Sequence, residues 1–375
     1  MSSNVSGRIR VLHFVSGGFS GGATQVAIQL VAAALEGSMI EPLLVLRRKR
    51  HTMQSRVIEL EQRGLPVTTV PGWSHLATII ALVRVCRRFK PDVLVAHGFS
   101  EHLWGRYAGL LAKVPALIHV EHNTRERYTH WRLAQARWLA NRTARIVACG
   151  PGVLERLREL GFAEEKLLLI ANGIDLAPFS AIDNRSFDER EAAVMMVARF
   201  GAQKDHLTLI RAIDLLRKRG CQARLYLAGG GKDRHRERAL RLARELGVLD
   251  QIVFCGLLRD VPQRLQQVRI AVLSTHYEGM PLALVEAMAA GCAVIGTRVP
   301  GVKEIIRDGE NGLLCEHQNP RDLADALERL LKDESLAKQL GTCARREAFA
   351  HYGRERMNED YERLFRELIG RTEKQ

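Results

Sequence analysis

Two glutamates eight positions apart, Glu278 and Glu286, stand in the run "STHYEGMPLALVEAMAAG" at 274–291. Paired carboxylates can act as nucleophile and acid partner at a glycosidic bond. Two cations, Arg199 and Lys204, flank the loop in "VARFGAQKDH", after an apolar run and before a helical one. Two cations so placed can neutralise a diphosphate. Lys204 could equally be a solvated side chain at a helix start. Yet a cation at a helix N-terminus opposes the dipole, which hints at an anion nearby. A third group lies in "ALIHVEHNTRERYTHW" at 116–131, with His119, Glu121 and His122. His119 and His122 could suggest a metal, but no third ligand is apparent. His97 ends the preceding apolar run, "VLVAHG". Each of these histidines could also be a polar cap on a strand end.

Such groups need elements to hold them. A short apolar strand at 268–273 runs into the Glu278 loop, and Pro281 and Gly291 punctuate the helical run that follows. That loop delivers backbone N–H groups and a helix N-terminus to the carboxyl end of a strand, where phosphate is favoured. Near the start, "IRVLHFV" reads as a buried strand, and "SGGFSGGATQVAIQLVAAAL" reads as a glycine loop opening a helix. The pattern G-x-G-x-x-G is partly met: Gly18 and Gly21 match, but Ser16 stands where the first glycine should be. The loop is either a tight strand-to-helix turn or a place where backbone approaches a ligand closely.

Further strands are expected at 42–46, 67–70, 92–97, 116–121 and 145–149, with helices between them. After the turn signal Asn172-Gly173 the pattern restarts with "AAVMMVARF", "ARLYLAGGG", "QIVFCGLL", "AVIGT" and "GLLCE". Helices follow at about 321–332 and 335–349, and the last run, "RERMNEDYERLFRELI", is amphipathic. Strand–helix alternation of this kind argues for parallel, doubly wound sheets. Their ligands sit beyond the carboxyl ends of the strands.

The 375 residues suggest two or three domains, and an apolar fraction of 46% leaves ample material for cores. No run approaches the ~20 apolar residues that span a bilayer. "VLHFVSGG" is too short an apolar core for a secretory signal, so a cytosolic protein is expected. The seven cysteines (Cys86, Cys149, Cys221, Cys255, Cys292, Cys315 and Cys343) form no C-x2-C pair, and their scatter fits a reducing compartment.

Net charge is +14, and residues 1–180 carry +10 of it. That asymmetry points to an anionic partner for the first half. No helix-turn-helix, zinc-finger or RNP-like pattern is present, so a membrane surface or an anionic acceptor is favoured over nucleic acid. Residues 73–90 set Trp73, Leu76, Ile80 and Val83 near helical spacing, with Arg84, Arg87, Arg88 and Lys90 at the end. This is either an ordinary surface helix with cations at its C-terminus or a helix that adsorbs to anionic lipid. Tyr128, Trp131 and Trp138, interleaved with Arg125, Arg127, Arg132 and Arg137, allow the same choice.

The E-x7-E spacing within "GMPLALVEAMAAGCAVIGT" resembles the signature of glycosyltransferase family 4. The likeness extends from the glycine loop at 17–22 to "PGVKEIIRDGENGLL" at 300–314. It implies the GT-B fold: two Rossmann-like domains facing across a cleft, with the last helix crossing back to the first. Expected boundaries are 1–178 for an acceptor-binding domain, 179–354 for a nucleotide-sugar domain and 355–375 for the returning helix. "NGID" resembles the family's entry to the interdomain linker.

The resemblance implies a retaining transfer from a nucleotide diphosphate sugar to an acceptor hydroxyl, with no metal or other cofactor. Arg199 and Lys204 would hold the donor diphosphate, helped by the N–H groups of Gly279, Met280 and Leu282 around Pro281. Glu286 would accept hydrogen bonds from the ribose, and Glu278 would bind a hydroxyl of the donor sugar. His122 would contact that sugar, Gly21 and Gly22 would face the donor phosphates, and Leu257 and Leu258 would lie near the base. A UDP-sugar or GDP-mannose and an envelope glycan or lipid-linked acceptor are expected from family frequency. Rival readings are a sugar-nucleotide epimerase, a non-catalytic scaffold, and an NADP-dependent dehydrogenase using Arg47 and Arg48 after the second strand.

Overall fold

A computed structural model describes residues 7–19, 22–37, 39–49, 52–125, 128–180 and 186–372. Gly21 and Arg127, both singled out above, lie outside the described residues. The chain forms two compact units. The first runs to Asn172 and resumes at Arg354; the second is Gly173–Gly353.

The first unit alternates strand and helix: β1 (Ile9–Ser16), α1 (Gly22–Leu35), β2 (Ile40–Arg47), α2 (Gln54–Gln62), β3 (Val67–Val70), α3 (His75–Phe89), β4 (Val93–His97), α4 (Phe99–Leu111), β5 (Ala116–Glu121), α5 (His130–Ala140), β6 (Arg145–Ala148), α6 (Pro151–Glu159) and β7 (Leu167–Leu169). Every residue of β4 and β5 is buried, which is why these strands read as unbroken apolar runs rather than as alternating ones. The parallel sheet has the order β3-β2-β1-β4-β5-β6-β7, so the strand order reverses between β1 and β4. The expected strands match to within one or two residues. The short β7 was not anticipated.

The second unit contains α7 (Ala177–Ser180), β8 (Glu191–Val197), α8 (His206–Lys218), β9 (Leu225–Ala228), α9 (Asp233–Glu245), β10 (Ile252–Gly256), α10 (Val261–Leu265), β11 (Val268–Leu273), α11 (Leu282–Ala289), β12 (Ala293–Thr297), β13 (Leu313–Cys315), α12 (Pro320–Lys332) and α13 (Glu334–His351). Its sheet is also parallel, with the order β10-β9-β8-β11-β12-β13 and a reversal between β8 and β11. In doubly wound sheets such a reversal opens a crevice at the strand carboxyl ends, and ligands bind there.

The last helix, α14 (Arg354–Thr372), belongs to the first unit, as the resemblance implied. Met357, Tyr361, Leu364, Phe365 and Leu368 recur at helical spacing and are buried. They pack α14 against α1 and β1, and the Phe365 ring stands edge-on to His13 at 6.2 Å.

Candidate active site

In the second unit, the loops leaving β8 and β11 are hydrogen-bonded neighbours. The 198–205 loop runs beside the exits of both flanking strands: Phe200 donates its N–H to Gly230 (2.7 Å) and Asp205 to Ser274 (3.0 Å). A bridge pairs Lys204 with Thr275. Gly229 has φ +146, and a Cβ there would lie 2.1 Å from the Ala198 carbonyl oxygen, so only glycine lets this loop come so close. Asp205 then caps α8, accepting from the Thr208 N–H at 3.1 Å.

This geometry brings Lys204 to Glu278. The ammonium donates to Glu278 Oε1, and both side chains are largely buried. Thr275 Oγ1 donates to the same oxygen (2.7 Å), and Gln203 Nε2 donates to Oε2 (3.1 Å). The anion inferred beside Lys204 is thus Glu278 itself. Gly301, at φ +89, closes the other side: a Cβ there would lie 2.6 Å from the Glu278 carbonyl oxygen. Gln203 and Thr275 were not found from the sequence. Their role follows from the non-sequential adjacency of β8 and β11.

Arg199 lies on the same loop and is exposed. Gly279, Met280 and Pro281 are buried, and α11 begins at Leu282 with Pro281 as its N-cap. Pro281 therefore stands one position outside the helix rather than within its first turn. The Leu284 and Val285 N–H groups turn back to the Pro281 carbonyl. The Leu282 and Ala283 N–H groups precede any intrahelical acceptor, so they are donors that an anion at this helix start could engage. Glu286 projects from the middle of α11. It is half-buried by accessible surface, yet burial pushes its carboxyl up to about 7. Leu257 is 82% exposed and lies against Gly230, and Leu258 is half-buried.

In the first unit, the glycine loop leaves β1 beside the reversal. Gly17 donates to the Arg47 carbonyl (2.9 Å), and Thr24 Oγ1 ties the loop to α1 through the carbonyls of Ser16 and Gly18, both at 3.0 Å. Gly22 opens α1 and is exposed. Three histidines from adjacent strands form a row. His13 Nδ1 lies 3.1 Å from His97 Nε2, and His97 Nδ1 lies 3.2 Å from His122 Nε2. Burial lowers the His13 pKa to about 3 and that of His122 to about 4, and drives His97 well below its ordinary value. All three rings are therefore neutral near pH 7.

His119 does not join His122 in a shared site. It stacks on His102 of α4 at 4.0 Å, with its Nε2 3.5 Å from Glu121. The donor atoms of His102, His119 and Glu121 lie within 4.8 Å of one another, the one such group among the described residues. Both ring nitrogens of His102 are already engaged, by the buried Arg106 guanidinium at Nδ1 (2.6 Å) and by Tyr128 Oη at Nε2 (3.1 Å). A second cation beside Arg106 would meet like charge in a dry interior, so these residues suit a buried ion network better than a metal. The Arg47 side chain is also committed elsewhere, to Glu101 (3.4 Å), the Gly72 carbonyl (3.4 Å) and His75 Nδ1 (2.9 Å). It is buried and does not await a 2′-phosphate.

Residues 20–178 match the family profile described as Glycosyltransferase Family 4, and residues 180–347 match the one described as Glycosyl transferases group 1. The chain belongs to glycosyltransferase family 4. It is a glycosyltransferase that uses nucleotide sugars, and its two parallel sheets are those of the GT-B fold. This family 4 chain is 28% identical over 364 residues to the lipopolysaccharide core biosynthesis glycosyltransferase LpsE of Rhizobium meliloti, covering 95% of this chain and 98% of that one. It is also 28% identical over 312 residues to EpsF of Bacillus subtilis, described as a glycosyltransferase, covering 77% and 79% of the two chains. The crystal structure of Anabaena HepE in complex with UDP and glucose superposes with a TM-score of 0.84 over 96% of this chain and all of that one. At 19% identity, that likeness speaks to the fold alone.

Proposed function

We propose that this family 4 enzyme transfers a sugar, with retention, from a UDP-sugar or GDP-mannose to a hydroxyl of a glycan or lipid-linked acceptor in cell-envelope polysaccharide or glycolipid synthesis. The observation that carries the reading is the gathering of Lys204, Glu278 and the α11 N-terminus where the second sheet reverses its strand order. The Rhizobium relative in lipopolysaccharide core biosynthesis supports the acceptor class.

In this reading the anomeric carbon–oxygen bond to the diphosphate breaks while the acceptor oxygen attacks from the same face. The departing phosphate oxygen takes the acceptor proton. Negative charge grows on that phosphate. Fixed positive potential from Arg199, Lys204 and the N–H groups of Gly279, Met280, Leu282 and Ala283 lowers the barrier. One lost contact of this kind costs about 100-fold or more in rate. Glu286 accepts from the ribose, Leu257 and Leu258 flank the base, Gly21 and Gly22 meet the donor phosphates, and His122 contacts the donor sugar.

Glu278 binds a sugar hydroxyl and is not the nucleophile. Lys204 and Thr275 donate to its Oε1 and Gln203 donates to its Oε2, so both carboxylate oxygens are held in hydrogen bonds rather than presented to an anomeric carbon. We assign the residues before 179 to the acceptor and residues 179–354 to the donor. The enzyme acts on the cytoplasmic side, at the inner face of the plasma membrane. No described helix is long and apolar enough to cross a membrane. Trp73 (83% exposed), Leu76 and Ile80 on and beside the basic helix α3 support peripheral contact with that face.

The test is a panel of nucleotide sugars, scored by thermal shift and then by release of nucleoside diphosphate with and without acceptor. A shift with a UDP-sugar or GDP-mannose and acceptor-dependent release of the diphosphate with anomeric retention are expected. Donor turnover to a new sugar nucleotide without acceptor would replace the transfer reading with epimerisation.

A further inference from the structure

The histidine row has a property that none of its members has alone. His13 comes from β1, His97 from β4 and His122 from the exit of β5, three strands adjacent in the sheet. His13 and His97 are fully buried. The rings of each adjacent pair stack at 5.4 Å between centroids, with interplanar angles of 27° and 24°. Each contact joins an Nδ1 to an Nε2.

A neutral imidazole has one N–H and one bare nitrogen. If His13 carries its proton on Nδ1, it donates to His97 Nε2. His97 must then carry its own proton on Nδ1 and donate to His122 Nε2, which leaves the His122 proton on Nδ1. If any ring carries the proton on Nε2, the whole row runs the other way. Mixed arrangements put two protons, or none, in one of the contacts.

We propose that His97 and His13 are positioning residues that fix the tautomer of His122 through this row. The role rests on the reading that His122 contacts the donor sugar. His122 Nδ1 is buried and has no protein partner. Whether that nitrogen donates to a sugar oxygen or accepts from a sugar hydroxyl is decided two residues away, at His13. The inner end of the row opens on a cavity of about 50 Å³ that His13 shares with Asn358, Tyr361 and Phe365 of α14. Asn358 Oδ1 is likewise buried without a protein partner, so this end is polar rather than sealed in hydrocarbon. A buried polar atom of this kind normally finds a partner or an ordered water, which then holds the row in one direction.

Nitrogen-15 NMR of the histidine rings in the intact protein tests the coupling without reference to activity. The three rings are expected to share one tautomer in the wild type. In His13→Leu the His122 ring shifts should move, although the two rings do not touch. His13→Asn keeps a polar group near the former Nδ1 and should restore them. In the transfer assay, His97→Leu should lower kcat by about tenfold to a hundredfold, the effect of one unmade buried hydrogen bond, with donor KM little changed. His97→Asn should recover part of that loss.

Unlike tautomers among the three wild-type rings, or His122 shifts indifferent to His13, would overturn the coupling and leave the glycosyl-transfer reading intact. A shared tautomer in an enzyme that runs at full speed as His122→Ala would overturn the positioning role, together with His122's contact to the sugar.

Discussion

The Lys204 ammonium rests on the Glu278 carboxylate, across 74 positions of sequence. The pairing has two consequences for binding. It keeps both charges satisfied where they are largely buried. It also means that an arriving diphosphate competes with Glu278 for Lys204, while a sugar hydroxyl can take up the freed carboxylate oxygen.

Breaking this pair from one side should cost more than replacing both partners. Lys204→Ala removes the ammonium from the Glu278 carboxylate and is expected to lower stability by about 1–3 kcal/mol. Lys204→Met combined with Glu278→Gln should recover most of that loss while leaving turnover at least 100-fold down. Thermal melts and initial rates of Lys204→Met, Glu278→Gln and the double variant read the coupling directly.

Glu286 gives a pH-dependent trade. Its folded pKa, about 7, lies above the ordinary carboxyl value, so the folded state holds this proton more tightly than the unfolded chain does. The resulting penalty begins above the unfolded pKa and is complete once pH passes the folded one. Glu286→Gln should therefore melt higher than wild type at pH 8, by about 1–2 kcal/mol after discounting for its partial exposure, and alike near pH 4.5. The same variant should raise the donor KM. A melting curve insensitive to pH in the comparison would remove the assignment of a buried, ligand-awaiting carboxyl.

Gly301→Ala tests the backing of the Glu278 loop. The added methyl would collide with the Glu278 carbonyl oxygen at 2.6 Å and with its Cβ at 2.8 Å, at a φ that alanine rarely adopts. A loss of roughly 1–3 kcal/mol in stability and a weaker response to added UDP are expected. Both can be followed in one thermal-shift series.

Contact with anionic lipid is checked by flotation on vesicles with and without phosphatidylglycerol. Trp73→Ser, Leu76→Ser and Ile80→Ser together should abolish co-flotation with anionic vesicles while leaving the melting temperature within a degree or two. These side chains are 83%, 66% and 44% exposed and contribute little to the core.

The elements were legible where chemistry is local. β4 and β5 announce themselves as unbroken apolar runs, and α11 is bounded by Pro281 and Gly291. β7 was missed because three partly exposed leucines at a sheet edge carry no pattern longer than the linker they lead into. The site was legible in its residue types but not in its pairings. Spacing cannot show that the exit of β8 lies beside that of β11, so Glu278 as the partner of Lys204, and Gln203 and Thr275 as its other donors, had to come from the sheet order. Arg47 illustrates the converse case. At the start of the run Arg47-Arg48-Lys49-Arg50 it looks available, and only the fold brings Glu101, Gly72 and His75 onto its guanidinium.

The return of α14 to the first unit has a consequence during synthesis. Residues 173–353 leave the ribosome between the first unit's last strand and the helix that completes it. At about 5–20 residues per second, that interval lasts roughly 10–35 s. Throughout it, the surfaces of α1 and β1 that later meet Met357, Tyr361, Leu364 and Phe365 stay uncovered. The nascent chain is then most open to chaperone capture and misassembly, and a stop codon before Arg354 would make that exposure permanent.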